Sequence, residues 1–289
     1  MAVLTVKAYA KVNLTLEVLG RRDDGYHDIV SIMQTVDLAD TLTLEDSDGI
    51  TLECDDPTLA GADNLALKAA RLLADETGAK RGVRITLRKG VPVAAGLGGG
   101  SADAAAVLLG LDRLWKLKLP PERLSSLAAK LGSDVPFFLH GGTAMVQGRG
   151  EVVRPMPPAD IKWLVVLTPA INIPSKTAAL YARLTQGDYT RGMLTRKLEA
   201  RIRGGGDVPA QFLYNAFDAV ALVAFSGLEA YWKAFESLGA REVHLAGAGP
   251  SIFALVPQKE VGTALVLLLR HRGWQAYLAA PARALESQP

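Results

Sequence analysis

Residues 4 to 18 alternate without interruption. Leu4, Val6, Ala8, Ala10, Val12, Leu14, Leu16 and Val18 fall on one side, and Thr5, Lys7, Tyr9, Lys11, Asn13, Thr15 and Glu17 on the other. A period of two held over this length predicts a half-buried β-strand, bent along its course. It also sends Lys11 and Asn13 to the same side, the face away from the core. A turn at Asp23-Asp24-Gly25 follows, then strands over Ser31–Leu38 and Thr41–Glu45. The 289 residues are long for one core and comfortable for two.

Helical spacing appears next. Leu65, Ala69, Leu72 and Leu73 form an apolar stripe, with Asp63 or Asn64 as cap and Gly78 as stop. Val83–Leu87 reads as a strand. A glycine-rich segment then opens a helix marked by Leu108, Leu111, Leu114 and Trp115, and Pro121–Leu131 is a further short helix. Prolines 155, 157 and 158 mark a boundary, which divides the chain into 1–158 and 159–289. The second part runs strand (Ile161–Leu167), helices, strand (Val243–Ala246), strand (Ile252–Val256), helix (Glu260–Arg270), strand (Trp274–Leu278). That is the order of a split βαβ, ferredoxin-like sandwich. The fold class is therefore α+β, with an N-terminal mixed sheet and helices before that sandwich. Arg203–Asp207 reads as a mobile loop between helices.

Bulk properties remove several functions. Lys and Arg total 32 against 30 Asp and Glu, a balance that does not favour nucleic acid. Cys54 is the single cysteine, so an intrachain disulfide and a cysteine-based zinc site are excluded, and four histidines do not suggest a transition-metal centre. The apolar run Val261–Leu269 is too short to span a bilayer, and Lys7 and Lys11 interrupt any signal-like core at the N-terminus. The expectation is a soluble cytoplasmic protein with a small-molecule substrate, no nucleic-acid or membrane partner, and an open oligomeric state.

The chemistry concentrates at Gly96-Leu97-Gly98-Gly99-Gly100-Ser101. Strand, glycine loop, helix is a physical anion site, because a helix N-terminus offers unpaired N–H groups and partial positive charge while glycines allow close approach. Four glycines in five residues are entropically expensive for a bland loop. No lysine follows them, so this is not a Walker loop. The sixth place of a dinucleotide fingerprint is Ser101 rather than glycine. Ser101 is a candidate helix cap or a phosphate or metal contact.

The segment Pro92-Val93-Ala94-Ala95-Gly96-Leu97-Gly98-Gly99-Gly100-Ser101-Ala102-Asp103 resembles the central motif of the galactokinase, homoserine kinase, mevalonate kinase and phosphomevalonate kinase superfamily. Ala10-Lys11-Val12-Asn13-Leu14 resembles its N-terminal motif, and Leu245-Ala246-Gly247-Ala248-Gly249-Pro250-Ser251 its C-terminal glycine motif. Arg21–His27, Ser133–Pro136 and Asn215–Asp218 narrow the resemblance to the 4-diphosphocytidyl-2-C-methyl-D-erythritol kinase family. It extends over nearly the whole chain. Ala102 replaces one of the two serines usual before the Asp, and Ala246 and Ala248 stand where the C-terminal motif usually has Ser. Backbone N–H groups would still hold a phosphate.

The resemblance implies a two-domain small-molecule kinase that uses Mg-ATP to phosphorylate the 2-hydroxyl of its cytidyl-linked substrate in the non-mevalonate isoprenoid pathway. Residues 1–158 would carry ATP and catalysis and 159–289 the substrate side. It implies Lys11 as electrostatic stabiliser and Asp134 as base; from the residues alone Asp134 is equally an N-cap before Val135-Pro136. It assigns Pro92, Ala94, Ala95, Gly96, Leu97, Gly98, Gly99, Gly100, Ser101 and Ala102 to ATP. Tyr26, His27 and Tyr181 would frame the cytosine, Asn13 would meet the methylerythritol part, and Gly247 and Gly249 would border the substrate. Asn64 and Lys89 are candidates to approach the nucleotide; Asn64 is equally a helix cap, Lys89 equally a surface charge. Asp103 would complement the helix dipole in the first turn. No Mg²⁺ ligand is assigned. The alternatives are another kinase of the superfamily, acting on mevalonate, homoserine or a sugar, and a nucleotide-binding protein without catalysis.

Overall fold

A computed structural model describes residues 2–171, 173, 175–282 and 287–288. In chain order the first half holds β1 (Val3–Arg21), β2 (His27–Ser47), β3 (Ile50–Cys54), α1 (Leu65–Thr77), β4 (Gly82–Arg88), α2 (Gly99–Leu114), α3 (Pro121–Leu131), α4 (Val135–His140), β5 (Thr143–Gly148) and β6 (Val152–Pro155). The second half holds β7 (Trp163–Thr168), α5 (Lys176–Tyr181), α6 (Met193–Arg203), β8 (Tyr214–Asn215), α7 (Asp218–Ala224), α8 (Leu228–Ser237), β9 (His244–Leu245), β10 (Ile252–Val256), α9 (Lys259–His271), β11 (Gln275–Ala279) and β12 (Ser287–Gln288).

The expected strands at 31–38 and 41–45 are one strand. β2 pairs antiparallel with β1 along most of its length, but its register slips between Tyr9 and Ala10, where β1 moves from Ala39 to Val36. Beyond that bend its other edge changes partner. Ile29–Gln34 pair with β5 and Thr41–Ser47 with β4. A bulge turns a strand, and here it lets one long ribbon serve two parts of the molecule.

The second sheet has the order β11-β7-β10-β9, with every pair antiparallel. Counting these strands along the chain gives 4-1-3-2, the expected split βαβ pattern. The second half also reaches back to the first sheet: Tyr214–Asn215 pair parallel with Thr15–Leu16, and Ser287–Gln288 pair with Thr5–Val6. Gly204–Gly206 form a turn closed by backbone hydrogen bonds to Ala200, Ile202 and Arg201, and Arg201 pairs with Asp207.

The apolar side of β1 feeds three cores in succession. Val6 and Ala8 pack with α1 and α2; Ala10, Val12 and Leu14 with Val91, Leu97, Leu164 and Phe253; Leu16 and Val18 with the core around Phe217 and Phe235. The opposite side is not solvated. Lys11, Asn13, Thr15 and Glu17 are each 4% exposed or less. The half-buried reading holds at the start of β1, where Lys7 is exposed, and needs correction from Tyr9 to Glu17, which are covered on both faces because α6 and the C-terminal glycine motif close over the polar side there. Thr195 of α6 donates its N–H to Glu17 and its hydroxyl to Thr15.

Candidate active site

Polar side chains sealed inside a protein must find partners. On β1 they find one another. Lys11 Nζ donates to Asn13 Oδ1 at 2.8 Å, Asn13 Nδ2 donates to Ser31 Oγ at 2.8 Å, and Ser31 donates to the Thr15 carbonyl at 2.5 Å. This chain fixes the Asn13 amide and leaves the Lys11 ammonium aimed at the end of the strand's polar face. Asp134 meets it there, with Oδ2 at 3.6 Å. Lys11 is 4% exposed and Asp134 33%, so the carboxylate is the member of the pair open to a visitor. Asp134 stands at the N-cap of α4 yet makes no side-chain cap hydrogen bond. The capping role that its sequence context equally allowed is not the one its side chain fills.

The glycine loop touches the same lysine. Lys11 N–H donates to the Leu97 carbonyl at 2.9 Å, and a Cβ on Gly98 would lie 3.1 Å from Lys11 Cγ and 2.6 Å from the Phe138 ring. Gly98, at φ +76°, is the N-cap of α2. The cap is thus a glycine without a side-chain hydrogen bond, and Ser101 sits in the first turn rather than at the cap. The first α2 bond runs from Ala102 N–H to Gly98 C=O at 2.9 Å. The N–H groups of Gly99, Gly100 and Ser101 precede it and have no carbonyl within the helix to bond.

The C-terminal glycine motif packs directly onto this loop. A Cβ on Gly96 would stand 2.1 Å from the Ala246 carbonyl, and one on Gly247 would stand 2.7 Å from Lys11 Nζ. Ser251 N–H donates to Ala95 C=O at 3.1 Å. Asn215 Nδ2 holds the motif from behind, donating to the Leu245 and Gly247 carbonyls at 3.0 and 2.9 Å. Gly247 borders the main cleft; Gly249 instead packs against Leu245 and the Gly96 backbone.

The cleft itself has a volume of about 830 Å³. Lys11, Asn13, Asp134 and Gly247 line it together with Tyr26, His27 and Tyr181. His27 and Tyr181, 154 residues apart in the chain, stack with centroids 4.4 Å apart and planes at 14°. Burial, then the Arg21 charge, lower the His27 pKa and favour its neutral ring. Burial, then the Asp134 charge, push the Tyr181 phenol up to about 12. Tyr181 also meets Phe217 edge-on, which fixes its plane. Tyr26 does not join this stack. It is 54% exposed, and the Arg149 guanidinium lies 4.7 Å over its ring.

Other expected residues are placed differently. The Asn64 amide is engaged in structure: Oδ1 accepts from Ala66 N–H at 2.8 Å as the α1 cap, and Nδ2 donates to Leu59 C=O at 2.9 Å. Lys89 is not a surface charge; its ammonium is turned inward onto Asp40 and Asp103. Asp103 is the fifth residue of α2, past the first turn, and ion-paired. Pro92, Ala94 and Ala95 line a second cavity of about 590 Å³ with Lys89 and Thr168. Ala102 is fully buried in the core behind the loop.

Sequence reasoning missed Lys176. Its ammonium bridges the Ala94 carbonyl, just before the glycine loop, and the Gly249 carbonyl of the C-terminal motif. Burial, then the nearby Lys11 charge, push it down to about 8. It also missed Tyr189, whose hydroxyl reaches His27 Nε2 at 3.4 Å. Neither sits in a motif; only the packing of α5 and the segment after it brings them here.

Comparison with known proteins agrees with this geometry. Residues 64–142 match the family model described as GHMP kinases N terminal domain. A 4-diphosphocytidyl-2-C-methyl-D-erythritol kinase of Dehalococcoides mccartyi is 42% identical, covering 96% of this chain and 98% of the relative. One from Symbiobacterium thermophilum is 43% identical over 92% and 95%. Among solved structures, a 4-(cytidine 5'-diphospho)-2C-methyl-D-erythritol kinase superposes with a TM-score of 0.82 at 33% identity, covering 96% of this chain and 99% of the other. A homoserine kinase from Cytophaga hutchinsonii shares the fold, with a TM-score of 0.77 at 19% identity over 100% and 98%. Taken with the Lys11–Asp134 pair and the two interlocked glycine motifs, these likenesses show that the chain belongs to the 4-diphosphocytidyl-2-C-methyl-D-erythritol kinase family.

Proposed function

We propose that this chain is a cytoplasmic ATP-dependent kinase that phosphorylates the 2-hydroxyl of 4-diphosphocytidyl-2-C-methyl-D-erythritol, a small-molecule substrate of the non-mevalonate isoprenoid pathway. The observation that carries the reading is one cleft lined by both the Lys11–Asp134 pair and the His27–Tyr181 stack. Residues 1–158 then supply the phosphate loop, Lys11 and Asp134, and residues 159–289 supply Tyr181 and Gly247. A nucleic-acid or membrane partner has no part in it.

The start of α2 fits a polyphosphate. Gly96 and Gly98 leave room that a side chain would fill, and three N–H groups stand without helical acceptors. When bound there, ATP supplies the γ-phosphoryl group. Asp134 takes the proton of the substrate hydroxyl as its oxygen bonds to that phosphorus and the bond to the ADP oxygen breaks. Lys11, held by Asn13, offsets the charge that develops. Among the described residues no cluster of three or more His, Cys, Asp or Glu is arranged to hold a metal. Mg²⁺ bound with ATP leans chiefly on the phosphates and keeps several waters.

At the other end, His27 and Tyr181 recognise a flat base. Two stacking layers of ordinary contact need about 7 Å between the rings, so the present 4.4 Å pair has to part by roughly 3 Å. Mevalonate, homoserine and galactose have no base to place there, which favours the cytidyl substrate over the other kinase readings. ADP release from Mg-ATP, measured with each of these four acceptors, is the test. Turnover with the cytidyl substrate alone is expected; turnover with another acceptor instead would overturn the assignment.

A further inference from the structure

Two buried carboxylates and a largely buried ammonium lie against the phosphate loop and take no part in the reaction just described. Asp40 of β2 is fully buried. Its Oδ1 accepts from the backbone N–H of Gly90 and Val91 at 2.7 and 2.8 Å, and its Oδ2 accepts from Lys89 Nζ. Lys89 also donates to Asp103 Oδ2 at 3.0 Å. Asp103 Oδ1 is buried and has no hydrogen-bond partner among the described residues. The loop hangs between these anchors. Residues 89–91 lead into it, Asp103 follows it, and a Cβ on Gly99 would be 3.3 Å from Asp40 Oδ2.

One ammonium cannot balance two carboxylates at such burial. Like charges that share a dry site resist joint ionisation, and an uncompensated buried charge is strongly unfavourable. The charged groups facing Asp103 are Asp40 from β2 and Lys89 just after β4. The other contacts at the start of α2 are apolar, apart from the Lys11 stem against Gly98. β1 presents Val6 and Ala8, α1 presents Leu65 to Gly100, and α4 sets Phe138 on Gly98. Asp55 is spent on the Lys89 backbone N–H. Asp103, with its unpartnered oxygen, is the natural place for a proton. Burial first, and then Asp40, push its carboxyl up to about 8 against the pull of Lys89.

We propose that Asp40, Lys89 and Asp103 form a positioning network for the phosphate loop, and that a proton held on the carboxyl pair keeps the network neutral so that the loop accepts a polyanion. The proposal rests on the kinase reading and deepens it. With the proton in place the three side chains sum to zero. Loss of that proton leaves one negative charge buried against the loop that must bind ATP, and the affinity falls.

The test is calorimetric titration of the full chain with Mg-ATP, without acceptor, between pH 6.5 and 9.5. Asp103→Asn has the shape of the protonated acid and cannot ionise. The ratio of wild-type to Asp103→Asn dissociation constants is expected to rise about ten-fold from pH 7 to pH 9, the order expected for one added charge near the phosphates. Titration of ATP and of Lys176 occurs in both proteins and cancels in the ratio. Should Asp103→Asn fail to fold, Asp103→Ala leaves one carboxylate on one ammonium and is expected to move the ratio the same way. Lys89→Met, which leaves the network negative, is expected to bind ATP several-fold more weakly already at pH 7. Parallel pH profiles for wild type and the Asp103 variant, or wild-type affinity in Lys89→Met, would overturn the proposal. An error in the acceptor assignment would leave all these results untouched, because no acceptor is present.

Discussion

Replacing Gly96 with alanine tests whether the two glycine motifs are locked together or merely adjacent. Gly96 has φ +85°, which in an L-residue costs about 1–2 kcal/mol. The new Cβ would stand 2.1 Å from the Ala246 carbonyl oxygen and 2.8 Å from both Gly249 N and O. All three are backbone atoms, so no side chain can swing aside, and the loops must separate by roughly 1 Å to restore ordinary contact. That motion strains the Ser251-to-Ala95 hydrogen bond, 3.1 Å long, whose net worth is about 1 kcal/mol. The sum is about 2–3 kcal/mol, or a fall of roughly 4–12 °C in melting temperature for a chain of this size. The assay is thermal melting, with affinity for Mg-ATP measured beside it. Gly100→Ala is the control: it lies in helical backbone, with Leu65 Cδ1 at a comfortable 3.7 Å. Its melting temperature is expected to hold or rise, since alanine is the better helix former by about 0.5–1 kcal/mol. A Gly96→Ala protein that melts within about 2 °C of wild type and binds ATP normally would refute the argument.

Other outcomes are expected from the same geometry. Asp134→Asn should lower kcat by about 10²–10⁴ while ATP affinity changes little, as read by single-turnover kinetics; near-normal turnover would remove Asp134 as the base. Tyr181→Ala should raise the KM of the cytidyl acceptor by about ten- to a hundred-fold, the worth of one stacked base, and leave the KM of ATP alone. Lys176 gives up its proton near pH 8 in the folded chain and near 10.5 when unfolded. Its burial penalty is therefore full below about 8 and fades as pH rises to 10.5. Lys176→Met should melt above wild type at pH 7, with the advantage shrinking toward pH 10.5; a constant difference would contradict this. Asp103 has the opposite sense. Its carboxyl ionises near 3.8 when unfolded and near 8 when folded, so its stability contribution is lost as pH rises across that window. Asp103→Asn should hold its melting temperature between pH 6 and 9 better than wild type.

Much of the site was legible because the relevant signals are short-ranged. The glycine run before an apolar helix announces a loop that opens a helix, and α2 begins at Gly99 as that pattern requires. The strand order of the second half foretells the 4-1-3-2 sheet. Lys11 and Asn13 share a face because alternation puts them there, and their side chains do meet. Less was readable at Asp134. A residue before Val-Pro is a plausible cap and a plausible base, and only the absence of a cap hydrogen bond, with Lys11 at 3.6 Å, separates the two. Lys89 was harder still, because nothing beside it in the chain announces Asp40, 49 residues earlier.

The division follows the range of the forces. Sequence by itself determined what period and propensity can dictate: the long alternating strand, the glycine loop, the helices it opens and ends, and the residue types available for phosphoryl transfer. Tertiary structure decided which faces are covered. The polar side of β1 reads as solvent-exposed until α6 and the Gly247 motif close over it. His27 and Tyr181 are unremarkable until the packing of α5 stacks them. Such contacts join residues far apart in the chain, so no local pattern can encode them; burial then raises the weight of each charge they enclose, at Lys11, Lys176 and Asp103 alike.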